Sequence, residues 1–146
     1  MIELRPTRID ELALLVQLET APGTREFIIP SVLGAHRANL THDDFVYLSI
    51  LERQAVAGVI ILRLDVEPDS VELRRIIVRD RNRGIGQQAI RMVEAWCRSL
   101  GRSRIWLDVF ESNQRARHLY EKLGYRQFGQ STFEGRVLLL YEHELG

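Results

Sequence analysis

A single cysteine, Cys97, is all that this chain of 146 residues offers to thiol chemistry, and that excludes an internal disulfide. No thiolate-stabilising motif surrounds Cys97, and it falls on the apolar face of a predicted helix, so a buried core thiol is expected rather than a nucleophile. No apolar run approaches the length of a membrane span, and the N-terminus MIELRPTRID has no signal-peptide apolar core. The expected setting is therefore a reducing cytoplasm, without membrane contact. Repeats, low-complexity tracts and linkers are also missing, which predicts one domain over residues 1–146. Metal-ligand clusters are lacking as well. His36 and His42 stand too far apart to share one helix face, and no Cys/His/Asp group supplies a third ligand, so both are expected at the surface or in caps and no metal is expected. Asn39-Leu40-Thr41 is a formal glycosylation sequon, read as chance without a secretion signal.

Net charge is lacking too: 20 basic residues balance 20 acidic ones. The balance hides an asymmetry. From Ala38 to Leu73 seven acidic residues face two arginines, whereas from Arg74 to Arg104 nine arginines face only Asp80 and Glu94. Charge switches sign within the strand that leads into a glycine-rich turn. A nucleic-acid surface would need interleaved aromatics or a recognised motif, and neither is present, so no nucleic-acid partner is expected. Arg91, Arg98 and Arg102 read as a solvated helix face.

What is present is a patterned soluble chain, 45% apolar and 27% charged. Ile2-Leu4 reads as a first strand, and Thr7 with Asp10 resembles a capping box opening a helix to about Glu19, stopped by Ala21-Pro22-Gly23. Ser31 to Asn39 predicts a second helix, within which Gly34 reads as ending a turn. Phe45–Leu51 and Ala55–Leu64 read as strands paired across Glu52-Arg53-Gln54, with Val71–Val78 as the next strand. The helix from about Gln87 to Leu100 carries Ile85, Ala89, Val93, Trp96 and Leu100 as its predicted apolar stripe, stopped by Gly101. Arg104–Phe110 is a strand, Asn113–Leu123 a short helix closed by Gly124, and Gln127-Phe128 and Val137–Tyr141 are two closing strands. The order β-α-α-β-β-β-α-β-α-β-β predicts an α/β domain with a mixed sheet. Val137–Tyr141 is open to two readings, an internal strand or a strand pairing across a homodimer.

Between the strand ending at Val78 and the following helix lies Arg81-Asn82-Arg83-Gly84-Ile85-Gly86. A glycine-rich turn feeding a helix start presents free backbone N–H groups and the positive end of the helix dipole. Flanking arginines add donors suited to phosphate. The turn predicts a phosphate-bearing ligand, although a lone Gly-x-Gly is weak on its own.

Later residues make it specific. The turn, then Trp106-Leu107-Asp108-Val109, Asn113, Ala116 and Leu119-Tyr120-Glu121-Lys122-Leu123-Gly124-Tyr125, occur in an order that resembles the GNAT superfamily of acetyl-CoA-dependent N-acetyltransferases. Arg81, Gly84 and Gly86 match its Arg/Gln-x-x-Gly-x-Gly/Ala motif. Asn113, Ala116, Tyr120, Gly124 and Tyr125 match its Asn-x-x-Ala-x-x-x-Tyr-x-x-x-Gly-Phe/Tyr pattern. The resemblance is firm from about Phe45 to Phe128. One departure is a loop between Val78 and Gly84 that is shorter than the commoner form and lacks its usual proline, which leaves the individual phosphate contacts of Arg79 and Arg81 open.

The resemblance implies a fold with a mixed central sheet of about six or seven strands, about four helices and a splayed strand pair holding the cofactor. It implies acetyl-CoA as cosubstrate, with Arg81 and the backbone of Arg83, Gly84, Ile85, Gly86 and Gln87 at the pyrophosphate. Ile76, Ile77 and Val78 would meet the pantetheine arm as an added strand would. Asn113, with Ala116 beside it, is either an N-cap alone or also a cofactor contact. Tyr120 is implied as the acid or hydrogen-bond donor to the departing thiolate, against a reading as a core aromatic. A tyrosine near ~10 cannot cheaply protonate a thiolate whose acid sits near ~8.5, a gap of roughly 2 kcal/mol.

An amine attacks a thioester only when neutral. That costs about 4.6 kcal/mol for a lysine at pH 7 and about 1 kcal/mol for an α-amine. Two carboxylates compete as base. Glu72, in the strand before the turn, is favoured, and Asp108, on an otherwise apolar strand, is second unless it pairs with Arg75 or Arg104. The acidic stretch before the turn would help attract a cationic amine. The expected function is acetyl transfer from acetyl-CoA to a primary amine by direct attack. A non-catalytic acyl-CoA sensor is the alternative. A dinucleotide-binding oxidoreductase fails because position 89 is Ala89, not a third glycine, and no first βαβ unit is evident.

Overall fold

Near-continuous apolar runs from Phe45 to Leu64 mark strands covered on both faces, and that is how they are built. The computed structural model describes residues 1–29, 31–65, 67–81 and 83–146. Its first half comprises β1 (Ile2–Pro6), a 3-10 turn (Ile9–Glu11), α1 (Leu12–Thr20), α2 (Leu33–Leu40), β2 (Phe45–Glu52) and β3 (Ala55–Leu64). The second half comprises β4 (Ser70–Val78), α3 (Ile85–Ser99), β5 (Arg104–Phe110), α4 (Gln114–Lys122), β6 (Arg126–Phe133) and β7 (Arg136–Glu144). The element order is the expected one, with β6 and β7 longer at both ends than the sequence suggests. Seven strands form one sheet in the order β1-β2-β3-β4-β5-β7-β6. β7 is therefore internal, between β5 and β6, which answers the open reading of Val137–Tyr141. Among the described residues no helix is long and apolar enough to cross a membrane.

Every neighbouring pair is antiparallel except β4 and β5, and that parallel pair is short: only Ser70–Glu72 face Arg104–Trp106. Beyond it β4 follows β3 to Val78, while β5 follows β7 to Phe110. The two strands thus part after Glu72 and Trp106, which opens a cleft in mid-sheet. A bulge adds to this. Ile61 pairs with Arg75 and Leu62 with Leu73, so Arg74 is an extra residue on β4. Because side chains alternate with period two, one inserted residue exchanges the faces. Val71 and Leu73 lie in the core under α3 and α4, whereas Ile77 lies in the second core with Leu12, Leu15 and Tyr47.

Several local expectations need correction. The α3 stripe is Ile85, Ala89, Ile90, Val93, Glu94 and Cys97, while Leu100 is 48% exposed beyond the helix end. Steps of four residues from Ile85 lead to Cys97 rather than to Trp96 and Leu100. Cys97 is fully buried, and that burial pushes its thiol up to about 11. Arg91 is not simply solvated: it donates to the buried Glu94, which also accepts the Tyr125 hydroxyl at 2.9 Å. Arg98 and Arg102 likewise donate to backbone carbonyls, at Leu145 and Ser70. Gly34 lies inside α2 rather than ending a turn. His36, expected at the surface, is 1% exposed. Its ring bridges Glu19 Oε1 and Tyr47 Oη at 2.7 Å each.

The capping box at the first helical turn joins Arg8 and Glu11 instead of Thr7 and Asp10. The Arg8 backbone N–H donates to Glu11 Oε1 at 2.8 Å, and the Thr7 hydroxyl instead pairs with that of Ser49 at 3.0 Å. Glu11 also takes two hydrogen bonds from Arg5, at 2.8 and 2.6 Å, and one from Ser49. Those donors, Arg5 first, lower its carboxyl to about 2 from an ordinary 4.5. A lowered acid stabilises the fold above its unfolded value and loses that contribution as pH falls through the folded one. Glu11→Gln is therefore expected to lower the melting temperature at pH 7, with a difference from wild type that shrinks between pH 4.5 and 2. A pH-independent difference in thermal melts would refute this.

Candidate active site

The N-terminus of α3 is uncapped. Gly84 occupies the cap position with φ +74, a left-handed conformation that suits glycine, and among the described residues no side chain accepts from the helix amides. The helix ladder opens with Gln88 N–H donating to Gly84 O at 3.1 Å, so the amides of Ile85, Gly86 and Gln87 lie ahead of that ladder. Among the described residues beyond its chain neighbours, a Cβ on Gly84 would meet no atom within 4 Å, and one on Gly86 would only touch Val78 and Leu119 at 3.7 and 3.8 Å. Crowding inside the protein does not require these glycines; the turn's geometry and the space before it do. Asn82, part of the same turn, lies outside the described residues.

The parted strands, this helix start and the beginning of α4 enclose a cleft of about 670 Å³. Ile76, Ile77 and Val78 supply one wall, with backbone groups that β5 no longer covers. Arg81, Arg83, Gly84, Ile85, Gly86 and Gln87 supply a second. Asn113, Ala116 and Tyr120 supply a third. All twelve residues expected at the cofactor thus line one cavity. Asn113 is the N-cap of α4, its Oδ1 accepting from Ala116 N–H at 3.2 Å, and its side chain borders the cleft as well.

The side chains of both arginines have protein partners. Arg83 makes a bidentate pair with Glu52 at 2.8 and 2.7 Å, tying the glycine turn to the β2–β3 hairpin. Arg81 turns to the segment after α1, donating from Nη2 to Gly23 O at 2.9 Å and Thr24 Oγ1 at 2.8 Å. Both guanidiniums are engaged by protein.

Tyr120, on α4, is 8% exposed, and among the described residues its hydroxyl has no hydrogen-bond partner. Burial, and then the charge of Asp108, pushes its pKa well above the ordinary phenol value, making it a weaker acid. Asp108 reaches solvent but is raised by partial burial, against the lowering fields of Arg74 and Arg75. The alternative partners expected for it are occupied elsewhere. Arg75 pairs with Glu19, and Arg104 donates to Glu142 at 2.7 Å. Glu72 is raised by burial too, with Arg74 3.9 Å away lowering it and Asp108 raising it. Neither carboxylate lines the cleft itself.

Sequence reasoning missed the segment 21–29, from which Gly23, Thr24, Phe27 and Ile28 join the lining. It also missed the buried group Glu19, His36, Tyr47 and Arg75 behind it. One signal was available: Glu19 continues the helical spacing of Leu12 and Leu15, and an acid in an apolar stripe needs partners.

The sequence model of the Acetyltransferase (GNAT) family matches residues 14–125. An uncharacterized N-acetyltransferase from the pepI 3′ region of Lactobacillus delbrueckii subsp. lactis is 33% identical over 101 residues, covering 64% of this chain. The match spans 58% of that relative's length. Among solved structures, the ribosomal-protein-S18-alanine N-acetyltransferase of Escherichia coli superposes with a TM-score of 0.81 at 18% identity, covering 99% of this chain and 94% of that one. A spermidine N-acetyltransferase from Vibrio cholerae superposes with a TM-score of 0.83 at 16% identity, covering 99% and 94%. At such identities these likenesses speak to the fold alone. The family match over well more than half the chain, on a sheet whose parallel strands part beside a glycine-capped helix, shows that this protein belongs to the GNAT acetyltransferase family.

Proposed function

We propose that the protein transfers an acetyl group from acetyl-CoA to a primary amine, in the reducing cytoplasm and without a metal. The observation that carries this reading is the single cleft that gathers the uncapped start of α3, the free edge of β4 and the Tyr120 ring. The residues fit the cosubstrate. Amides of Ile85, Gly86 and Gln87 face an anion at the positive helix end, the edge of β4 suits an amide-bearing arm, and the Tyr120 hydroxyl awaits a partner. Acetyl-CoA supplies an activated acyl carbon on a thiolate leaving group. The amine nitrogen bonds to that carbon, the C–S bond breaks, the nitrogen's proton passes to a carboxylate, and Tyr120 donates a hydrogen bond to the departing sulfur.

For the carboxylate, Asp108 is preferred over Glu72, because its charge reaches Tyr120 whereas Glu72 sits against Arg74. The proton moves as the N–C bond forms, when the nitrogen has become acidic enough for a carboxylate to accept it. A base raised above the ordinary 3.8 loses function as pH falls through its raised value. Asp108→Asn is therefore expected to reduce kcat/KM about 10²-fold and to remove the acid limb of the pH profile. The same burial makes the ionised carboxylate destabilising. The folded protein holds that proton more tightly than the unfolded chain, so stability declines as pH rises above 3.8. Asp108→Asn should hence melt no lower than wild type at pH 7. A loss of stability, or an acid limb removed by Glu72→Gln instead, would reject the assignment.

The reading as a whole is tested by incubating the protein with acetyl-CoA and a panel of α-amines, lysine peptides and polyamines, with free thiol as the readout. Thiol release that depends on one amine class supports it. CoA binding without turnover on any class would instead favour a non-catalytic acyl-CoA sensor.

A further inference from the structure

The segment 21–29 belongs to no helix or strand, yet it is fastened at three carbonyls by three arginines from separate parts of the chain. Arg81, from the cofactor turn, takes Gly23 O at 2.9 Å. Arg136, at the start of β7, takes Glu26 O at 2.7 Å, with its guanidinium 3.8 Å above the Phe110 ring. Arg75, on β4 just past the bulge, takes Ile29 O at 2.6 Å while it is held by the buried Glu19. Within the segment, Thr24 and Arg25 N–H both donate to Ala21 O at 3.1 Å, and Phe27 N–H donates to Thr24 O at 2.9 Å. Two turns are thus preformed, and the arginines set where they sit. From them Gly23, Thr24, Phe27 and Ile28 border the cleft that also holds Tyr120.

Arg81 differs from the other two because it stands in the phosphate-turn motif. Its charge would suit a pyrophosphate, but its guanidinium is applied to a neutral carbonyl and a hydroxyl. It also lies over Gly23, whose built Cβ would be 3.8 Å from both terminal nitrogens. Gly23 has φ +85, a conformation that favours glycine and leaves its α-carbon bare under the arginine. The helix start already supplies backbone donors for phosphate without this side chain.

We propose that Arg81 is a positioning residue for the amine side of the cleft: it fastens the 21–29 segment to the cofactor turn and does not act as a phosphate ligand. This rests on the acetyl-CoA reading for the identity of the two sides. Coupling the wall of one substrate to the cradle of the other means that the amine pocket is assembled only while the turn holds its shape.

The test uses the full chain and the variants Arg81→Gln, Arg81→Lys and Thr24→Val, with three readouts. These are hydrogen exchange at the amides of Thr24, Arg25 and Phe27, CoA affinity by calorimetry, and steady-state kinetics by thiol release. Losing two hydrogen bonds at Arg81→Gln is expected to raise exchange about tenfold and the amine KM about tenfold. CoA Kd and kcat should stay within about threefold of wild type. Thr24→Val, which removes one partner and leaves the turn untouched, should produce a smaller shift of the same kind, and Arg81→Lys should recover part of the loss. A tenfold or greater loss of CoA affinity, or unchanged exchange in Arg81→Gln, would overturn the proposal. Exchange and CoA binding need no acceptor, so they decide the role of Arg81 even if no amine on the panel is acetylated. That last result would count against the catalytic reading alone.

Discussion

Tyr120→Phe is expected to lower kcat by about 10- to 150-fold while leaving acetyl-CoA affinity and the melting temperature near those of wild type. The magnitude follows from what the hydroxyl is able to do. An ordinary tyrosine already loses a full proton to a thiolate only uphill, by roughly 2 kcal/mol. Burial and Asp108 push this tyrosine further in that direction, so proton transfer is less favourable still. What remains is a hydrogen bond from a largely buried phenol to a developing anion, worth roughly 1.5–3 kcal/mol. The lack of stability cost follows from the same geometry. The hydroxyl has no partner among the described residues, so its removal breaks no hydrogen bond to them. The ring keeps its place beside Tyr125, 5.9 Å between centroids. A raised tyrosine also stays protonated across the working range, so the wild-type rate should show no decline from Tyr120 up to about pH 10. Undiminished kcat in the phenylalanine variant would remove Tyr120 from the mechanism. A drop in kcat matched by a fall in melting temperature would make it a core aromatic.

The elements that bound the cleft beside α3 were legible in the sequence because they are marked by local backbone signals. A glycine at the start of α3, a strand before it and an asparagine at the start of α4 are punctuation marks, and punctuation is read locally. Side-chain partnerships are not local. Arg81 looks like a phosphate ligand in its own neighbourhood, and only the fold brings Thr24, 57 residues away, to meet it. Arg83 finds Glu52 across 31 residues in the same way. His36 looked like a surface histidine because α2 is otherwise weakly apolar, but Glu19 and Tyr47 arrive from other elements to bury it. The α3 stripe misled for another reason. Trp96 and Leu100 are large and apolar, which favours them over Glu94 in a reading of the sequence, yet Glu94 is buried because Tyr125 and Arg91 satisfy its carboxylate. The splay of β4 and β5 has no sequence marker of its own. Beside it lies an extra residue at Arg74, and a bulge of one residue shows in the sequence only as the adjacent pair Arg74-Arg75, where alternation lapses.

That splay is also where the protein should be least tolerant of added volume. Gly58→Ala is expected to cost about 3–5 kcal/mol, a large part of the stability of an ordinary domain. Gly58 faces Val78 in the β3–β4 ladder, and a Cβ there would sit 2.3 Å from Ile77 O, 3.1 Å from Val78 Cα and 3.2 Å from Ile50 Cδ1. The first two are main-chain atoms, which cannot rotate away as a side-chain end can. Relief requires β4 to move off β3 at the very residues that form the cleft wall, or Ile50 to leave a site where it is fully buried. Both choices carry a penalty: the first weakens CoA binding, the second opens the core. Gly34, inside α2 with no atom within 4 Å of its built Cβ, is the internal control. There alanine should stabilise by up to about 1 kcal/mol through helix propensity. Urea denaturation of the two variants should therefore move the midpoint in opposite directions, and CoA titration of folded Gly58→Ala should show weaker binding. If Gly58→Ala unfolds at the wild-type midpoint, β3 and β4 do not approach as closely as this packing requires. The width of the cleft would then rest on something other than a missing side chain at position 58.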